Sequence, residues 1–384
     1  MAELRIISSV INNYQGDQRV QKQIRSFRKF GFETEVIATD LRGNPKLDFD
    51  YPVQIIRLSN QDGMLMYLEF NRKLFGRLMK SVKKGDILLA NDLDSLLPNY
   101  LISKIKKVPV VFDSHEIFSE LPSLTGRKFK KKSWKMLESS LVPRMKHFYT
   151  VSEGYADWFE KEYGNRPEII MNVPEIQTEN NNRLQIELPQ TKENQKILIY
   201  QGAINISRGI DKMILAMEKI ESAQLWIIGN GPKKEEYQKL TSEKGLDSKV
   251  IFISAVPPDQ LKLITPKADL GFSLEEDLGI SYRYALPNKI FDYMHAGVPV
   301  LGTDLPDIKR TIENYKIGRT VSDHTPEQIA KTANEMLAEG KEIYSENLRK
   351  ATPVFNWSNE EKKLEKIFSE FITQIRPEKE ILSR

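Results

Sequence analysis

Two doubly wound α/β domains in tandem are the fold that this 384-residue sequence predicts. Short apolar strands alternate with amphipathic helices along nearly the whole chain, which is typical of βαβ units and of a parallel sheet. The alternation stops once, at a polar segment flanked by Pro174 and Pro189, and then resumes. The chain is also too long for one ordinary core and suits two domains.

The first series of elements begins with a strand at 4–10, a helix that starts near Asp17 and ends at Gly31, and a strand at 34–38. The helix places Val20, Ile24 and Phe27 at helical spacing, so it has one apolar face. The series continues with strands at 87–90, 108–112, 148–151 and 168–171, and with helices at 101–105, 134–141 and 153–163.

Residues 174–193 are rich in Asn, Gln, Glu and Thr, and we interpret them as the interdomain linker. The second series has strands at 197–200, 225–228, 250–253, 270–273, 298–301 and 318–321, and helices at 211–220, 233–244, 258–263, 288–296 and 307–314. A last amphipathic helix covers 359–375.

The sequence predicts two domains. The first consists of 1–175 together with 358–384, and the second consists of 190–357. The carboxyl ends of both sheets are expected to face a cleft.

Composition excludes several classes of function. The 40% hydrophobic and 29% charged residues are typical of a soluble globular protein, and no apolar run approaches the ~20 residues of a membrane-spanning helix. The start of the chain has no signal-peptide pattern, so we expect a cytoplasmic protein. The absence of cysteine excludes disulfides and thiolate sites, and the four histidines lack metal-ligand spacing. These features argue against cysteine-based zinc sites and histidine-rich metal sites, and we expect no metal and no cofactor.

The second domain contains the segment around which the site is expected to form, which runs from Ser281 to Gly297. Pro287 favours a helix break, and Asn288 is a good N-cap for a helix that ends at Gly297. Free N–H groups at that helix start, with Lys289 in the first turn, are suited to a diphosphate. Asp292, one turn on, can accept hydrogen bonds from sugar hydroxyls. The alternative is an ordinary cap with solvated charges.

Two glycine-containing loops follow strands of the same predicted sheet. In the first, Gly202 and Gly209 allow close backbone approach, and Arg208 offers a bidentate fork for phosphate. In the second, Gly229 and Gly231 favour close passage of the backbone beside a nucleotide base, although the full dinucleotide-binding pattern is missing. Each loop is also compatible with a simple turn. The strand ends bring both loops to the edge where ligands of such folds bind.

In the first domain, Asp113, His115 and Glu116 come directly after a strand. His115 can bond a sugar hydroxyl or transfer a proton, with Asp113 or Glu116 orienting its ring. A structural histidine is the alternative.

Two segments, 127–135 and 72–80, combine basic residues with aromatic or aliphatic ones, as surfaces that contact anionic membranes do. Ordinary solvated helix faces are the alternative. The net charge of +4 is small for this length, so basic character must come from local clusters, and we expect no nucleic acid partner.

Taken together, these segments resemble the retaining GT-B glycosyltransferases of glycosyltransferase family 4, also called glycosyl transferases group 1. The matching pieces, in chain order, are Gly16–Val20, Asp113–Glu116, 150–152, 171–174, Gln201–Gly202 with Arg208–Gly209, 228–232, 286–300 and 353–357. Their order and spacing carry the resemblance, which extends over nearly the whole chain.

The resemblance implies two Rossmann-like domains and a C-terminal helix that crosses back to the first. It implies retaining, metal-independent transfer of a sugar from a UDP- or GDP-sugar to a glycan or lipid-linked glycan. His115, Arg208 and Lys289 match the catalytic positions. Gly16, Gly202, Gly229, Gly231, Asn288 and Asp292 match donor positions, and Glu116, Ser281 and Tyr284 are sugar-binding candidates. The protein is expected in the cytoplasm, or peripherally on the inner face of the membrane.

The sequence departs from the family pattern at two positions. Tyr284 replaces the first Glu of the Glu-x7-Glu signature, and Ala203 replaces a basic residue that often follows the glycine. Glu275 and Glu276 can replace the missing carboxylate or serve as solvated loop charges. The alternatives are a sugar-nucleotide 2-epimerase or a phosphorylase of the same fold, and a catalytically silent carbohydrate-binding or scaffold subunit.

Overall fold

The structure, a computed structural model, describes residues 4–39, 49–176 and 183–375. The chain divides into two compact units, Met1–Asn172 with Glu360–Arg384, and Val173–Asn359. Parts of the predicted domains and linker lie outside the described residues. They are 1–3, 40–48 and 376–384 of the predicted first domain and 177–182 of the predicted linker.

The first unit contains a parallel sheet in the order β3-β2-β1-β4-β5-β6-β7 within the described ranges. Its strands are β1 Arg5–Asn13, β2 Glu33–Thr39, β3 Val53–Ile56, β4 Ile87–Asn91, β5 Val110–Ser114, β6 His147–Thr150 and β7 Glu168–Ile169. The order reverses beside β1, whose neighbours are β2 and β4. The loops after β1 and β4 therefore leave the sheet at its switch point, where ligands of doubly wound folds bind.

Within the described part of the first unit, the α-helices before the linker are α1 Gln18–Lys29, α2 Gly63–Ser81, α3 Leu93–Lys106, α4 Lys128–Leu141 and α5 Glu153–Tyr163. Asp17 caps α1 by accepting from the backbone N–H of Val20, as the polar residue before the apolar stripe indicates. On one face of the sheet, Ile7 of β1 and Leu88 of β4 form one hydrophobic cluster with Phe70 and Leu74 of α2. All four side chains are fully buried. Neither β3 nor α2 belongs to the predicted series.

The second unit has a parallel sheet in the order β10-β9-β8-β11-β12-β13, again within the described ranges. Its strands are β8 Lys196–Gln201, β9 Ala223–Ile228, β10 Val250–Ile253, β11 Leu270–Ser273, β12 Val300–Thr303 and β13 Gly318–Val321. The order reverses beside β8, which pairs with β9 and β11. Gly202 follows β8 directly, and Glu275 lies two residues after β11, so both leave the sheet at the switch point.

The helices of the second unit are α6 Ile210–Ala216, α7 Lys234–Glu243, α8 Pro258–Ile264, α9 Ile280–Arg283, α10 Asn288–His295, α11 Pro306–Tyr315, α12 Pro326–Glu339 and α13 Ser345–Ala351. The predicted N-cap of α10 is corrected. Asn288 is the first helical residue, because the extended ψ of 136° at Pro287 keeps only Pro287 outside the helix. Pro287 therefore occupies the cap position, and no side chain there caps the helix by a hydrogen bond.

The final helix, α14 Trp357–Ile375, begins in the second unit and belongs to the first from Glu360 onwards. Its Phe368 is buried with its ring centroid 4.4 Å from that of Phe27 of α1. Glu361 also accepts a hydrogen bond from Ser26 at 2.8 Å. The expectation of a C-terminal helix that returns to the N-terminal domain is therefore confirmed. No helix in the described part of the chain combines the length and apolarity needed to cross a membrane.

Candidate functional site

Lys289 and Glu275 form a buried ion pair at the start of α10. The Lys289 ammonium lies 2.5 Å from an oxygen of Glu275, and the two side chains are 8% and 1% exposed. Arg208, in the loop after β8, places its guanidinium 3.6 Å from the same oxygen. The ring of Tyr200 lies under the ammonium, 4.5 Å from its centroid. Two cations therefore share one carboxylate. Glu275 is part of this cluster and not a solvated loop charge.

The electrostatics of this cluster follow from burial. Burial raises the pKa of Glu275, but the charges of Lys289 and Arg208 lower it more, so the net shift is below the ordinary value. Burial lowers the pKa of Lys289, and the charge of Arg208 lowers it further, against the opposing effect of Glu275. The cluster carries one net positive charge when all three groups are ionised, and Lys289 is the group that gives up its proton most easily.

A cavity of about 310 Å³ opens beside this cluster. Its lining consists of Tyr200, Gln201, Gly202, Ala203, Arg208, Leu261, Pro287, Asn288, Lys289 and Asp292. Five residues that the sequence singled out separately thus meet here: Gly202, Arg208, Asn288, Lys289 and Asp292. The cavity lies at the switch point of the sheet and at a helix N-terminus, which favours an anion.

Asp292 is fixed in the wall of the cavity by Gln201, the last residue of β8. The Gln201 amide nitrogen donates to Asp292 at 3.0 Å, and its oxygen accepts from the hydroxyl of Thr265 at 2.8 Å. Asp292 is only partly buried, so its carboxylate lies at the cavity surface one turn along α10 from Lys289. It is placed to accept hydrogen bonds from hydroxyl groups of a bound ligand.

The glycine loops support the cavity through backbone contact. A Cβ atom on Gly229 would lie 1.9 Å from the carbonyl oxygen of Gly202, and one on Gly231 would lie 2.0 Å from that of Ile204. The N–H of Ile204 also donates to the carbonyl of Asn230 at 3.0 Å. The loop after β9 therefore shapes the loop that lines the cavity.

The segment before α10 contributes an aromatic contact. Ser281 lies buried within α9, and Tyr284 follows that helix as its C-cap. The ring of Tyr282, which the sequence did not single out, lies 5.3 Å from the guanidinium carbon of Arg208. Such stacking restricts the guanidinium to one plane beside the cavity.

In the first unit, both ring nitrogens of His115 face carboxylates. Nε2 lies 2.9 Å from Asp113 and Nδ1 lies 3.2 Å from Asp92. The expectation that Asp113 orients the ring agrees with this geometry. The second carboxylate in these contacts belongs to Asp92, from the end of β4, whereas Glu116 is exposed. Asp92 follows the buried strand β4 directly, and that pattern was the available signal. Asp113, which was predicted to follow a strand, lies instead within β5, because this strand extends to Ser114.

Asp113 is held from the other side by Arg19 of α1. The guanidinium donates to both carboxylate oxygens at 2.7 and 3.0 Å, and the Gln23 amide donates at 2.6 Å. Burial raises the pKa of Asp113, but the charges of Arg19 and His115 hold it well below its usual range. Gly16, in the same predicted motif as Arg19, is exposed at the end of a 3₁₀ turn before α1 whose first residue, Tyr14, is buried.

The two basic segments lie on helices of the first unit. Residues 127–135 fall mostly on α4, and 72–80 fall on α2. α2 packs against α3, and α3 packs against α4. Large apolar side chains project from these three helices with more than a third of their surface exposed; they are Met64, Leu65, Leu68, Leu101, Ile105, Phe129 and Met136.

Comparison with known proteins gives two family matches. Residues 18–174 match the model of Glycosyltransferase Family 4, and residues 182–353 match the model of Glycosyl transferases group 1. An uncharacterized glycosyltransferase of Methanocaldococcus jannaschii, MJ1607, is 27% identical over 44% of this chain and 43% of its own length. The sulfoquinovosyl transferase SQD2 of Arabidopsis thaliana is 23% identical over 45% of this chain and 33% of its own length. The match thus spans less than half of either relative.

Solved structures with the same fold cover nearly the entire chain. Sucrose-phosphate synthase from Thermosynechococcus elongatus matches with a TM-score of 0.80 at 14% identity, over 97% of this chain and all of that one. The Anabaena protein HepE, in complex with UDP and glucose, matches with a TM-score of 0.73 at 16% identity, over 96% of this chain and all of that one. With its two parallel-sheet units and both family matches, the chain belongs to the GT-B glycosyltransferases of Glycosyltransferase Family 4 and Glycosyl transferases group 1.

Proposed function

We propose that the protein transfers a sugar from a nucleoside-diphosphate donor to a glycan or lipid-linked glycan. The observation that carries this proposal is the convergence of Lys289, Arg208 and the start of α10 on one cavity. A diphosphate placed there receives two cations and the free N–H groups of the first helical turn. Asp292 then accepts hydrogen bonds from the ribose of the same nucleotide.

Catalysis in this proposal rests on stabilising the leaving diphosphate. Charge develops on the phosphate oxygens as the bond to the sugar breaks, and donors fixed in advance stabilise that charge without reorganisation. Glu275 and Tyr282 hold Lys289 and Arg208 in place before the donor arrives. Because these two cations supply the neutralisation, we propose transfer without a metal ion.

The donor is proposed to be a UDP- or GDP-sugar. HepE, which shares the fold, is described in complex with UDP-glucose, and a relative from Mycobacterium tuberculosis is named as a GDP-mannose-dependent mannosyltransferase. That relative is 27% identical over 34% of this chain. Retention of the anomeric configuration is proposed from the family resemblance, and His115 is proposed to lie near the donor sugar.

Incubation of the protein with a panel of UDP-, GDP- and ADP-sugars tests the proposal. We expect one nucleotide class to bind and its donor to be hydrolysed slowly without acceptor. Proton NMR of the released or transferred sugar then gives the anomeric configuration. We expect it to be the same as in the donor, as retention requires. Failure of every nucleotide to bind would end the proposal. Conversion of the donor into an epimer would favour the 2-epimerase, and glycan binding without turnover would favour the silent subunit.

We further propose that the first unit contacts the anionic inner face of the membrane, where a lipid-linked acceptor would lie. Lys128, Lys131 and Lys132 line an open groove on α4, and Phe129 next to them is 88% exposed. Arg57, Arg72, Arg77 and Lys80 line a second groove along α2. Cations that attract anionic lipid, beside apolar side chains that insert, are the chemistry of peripheral binding.

A further inference from the structure

Both nitrogen atoms of the His115 ring are committed to carboxylates. Nε2 lies 2.9 Å from Oδ2 of Asp113, and Nδ1 lies 3.2 Å from Oδ2 of Asp92. Ionised carboxylate oxygens only accept hydrogen bonds, so each ring nitrogen must donate one. A histidine that donates from both nitrogens is an imidazolium cation.

Asp92 reaches this position through an unusual backbone conformation. Its φ of 63° with ψ of 163° lies in a region that is nearly restricted to glycine and is strained for other residues. Two bonds keep it there: its N–H donates to the carbonyl of Asp113 at 2.8 Å, and its Oδ1 accepts from the N–H of His115 at 2.7 Å. The strained residue therefore holds His115 by backbone and ring at once.

The groups around the ring are mostly acidic. Asp92 and Asp94 approach from the start of α3, Asp113 from the end of β5 and Glu116 from the loop beyond His115. Arg19 of α1 balances Asp113. Tyr67 of α2 lies near the same carboxylates. Burial lowers the pKa of His115, but the charges of Asp113 and Asp92 raise it well above its ordinary value.

We infer that Asp92 is a positioning residue which, together with Asp113, keeps the His115 ring as a fixed cation at the carboxyl edge of the first sheet. His115 then acts through the positive charge and the fixed position of its ring, and does not accept or release a proton. The consequence for sugar transfer rests on the proposed function, whereas the charge of the ring does not.

The charge of the ring is tested by NMR titration of the four histidines in the full-length protein, with His115→Gln used to assign the signals. Asp92→Gly removes the carboxylate and tolerates the backbone conformation, so it is expected to fold; Asp92→Asn keeps the size of the side chain. Asp157→Asn, at an exposed ion pair of α5, is the control. We expect His115 to remain an imidazolium up to pH 8 in the wild type and the control.

In both Asp92 variants the His115 midpoint should fall by about one pH unit or more, because one carboxylate has gone. Titration of wild-type His115 near its ordinary value, or an unchanged midpoint in Asp92→Gly, would overturn the inference. With an active donor, the pH profile of kcat should lack a histidine limb between pH 6 and 8 in the wild type and gain one in Asp92→Gly, with donor KM unchanged. If no donor turns over, the proposed function fails and the ring titration still decides this inference.

Discussion

The ammonium nitrogen of Lys289 lies 2.5 Å from a carboxylate oxygen of Glu275, and less than a tenth of either side chain is exposed. The pair fixes the lysine in the wall of the cavity before any ligand arrives. Breaking a buried pair by removing one partner leaves an uncompensated charge, which is more costly than replacing both partners together.

Glu275→Gln is therefore expected to lower the free energy of unfolding by about 3 kcal/mol, measured by urea denaturation. The double variant Glu275→Gln with Lys289→Met should lose clearly less than the sum of the two single variants, because the buried lysine charge is removed together with its carboxylate partner. Additive losses would show that the pair contributes no coupling. Asp157→Asn, at an exposed pair, serves as the matched control.

The lowered pKa of Lys289 predicts that diphosphate binding weakens at alkaline pH. Above that pKa the lysine is neutral, so the affinity for a nucleoside diphosphate is highest below it and is lost as the pH rises through it. Between pH 8 and 10 the phosphate groups keep a constant charge, since their last ionisation lies near about 6. Calorimetric titration should show a dissociation constant that rises by about tenfold in the wild type.

Lys289→Arg is the control for this pH dependence, because a guanidinium keeps its charge throughout that range. Its dissociation constant should change much less between pH 8 and 10. An equal loss of affinity in both proteins would assign the titration to another group.

Gly231 tests whether the loop after β9 shapes the cavity. Gly231→Ala would place a Cβ atom 2.0 Å from the carbonyl oxygen of Ile204, so the loop containing Gly202 must move. We expect weaker nucleotide binding and a lower melting temperature. Gly76→Ala is the matched control: no atom lies within 4 Å of its Cβ in α2, and the helix should gain about 0.5–1 kcal/mol. Unchanged nucleotide affinity in Gly231→Ala would contradict this role of the loop.

The basic face of α4 predicts binding to anionic vesicles. Wild-type protein should float with phosphatidylglycerol vesicles and not with phosphatidylcholine vesicles. Reversing Lys128, Lys131 and Lys132 to Glu should weaken the binding by about a hundredfold or more, since each lysine near such a surface contributes about 1 kcal/mol. Reversing three exposed lysines of the second unit, Lys239, Lys262 and Lys350, should have little effect. Equal loss in both triple variants would indicate a nonspecific charge effect.

Sequence patterns located much of the fold because apolar runs bounded by polar residues mark strands. The predicted strands 250–253, 270–273 and 318–321 have the same bounds as β10, β11 and β13. The helix at 63–81 was missed because Leu65 and Leu68 on its exposed face blur the periodicity that its buried Phe70, Leu74 and Leu78 create. Pro98 inside α3 likewise shortened the predicted helix at 101–105.

The candidate site was located only in part, for physical reasons. The residues that line the cavity follow strand ends or open a helix, and topology brings such positions together. The burial of Glu275 depends on how β11 meets α10, which local sequence does not encode. The role of Asp92 depends on a backbone conformation that no propensity favours for aspartate.

Calorimetric binding of UDP and GDP to the wild type, Lys289→Ala, Arg208→Ala and the exposed control Lys350→Ala tests the central claim most directly. We predict that one nucleotide binds the wild type and the control alike, that both cavity variants bind it much more weakly, and that Lys289→Ala lowers kcat/KM by about two to three powers of ten. Near-normal nucleotide affinity and turnover in Lys289→Ala would contradict the account.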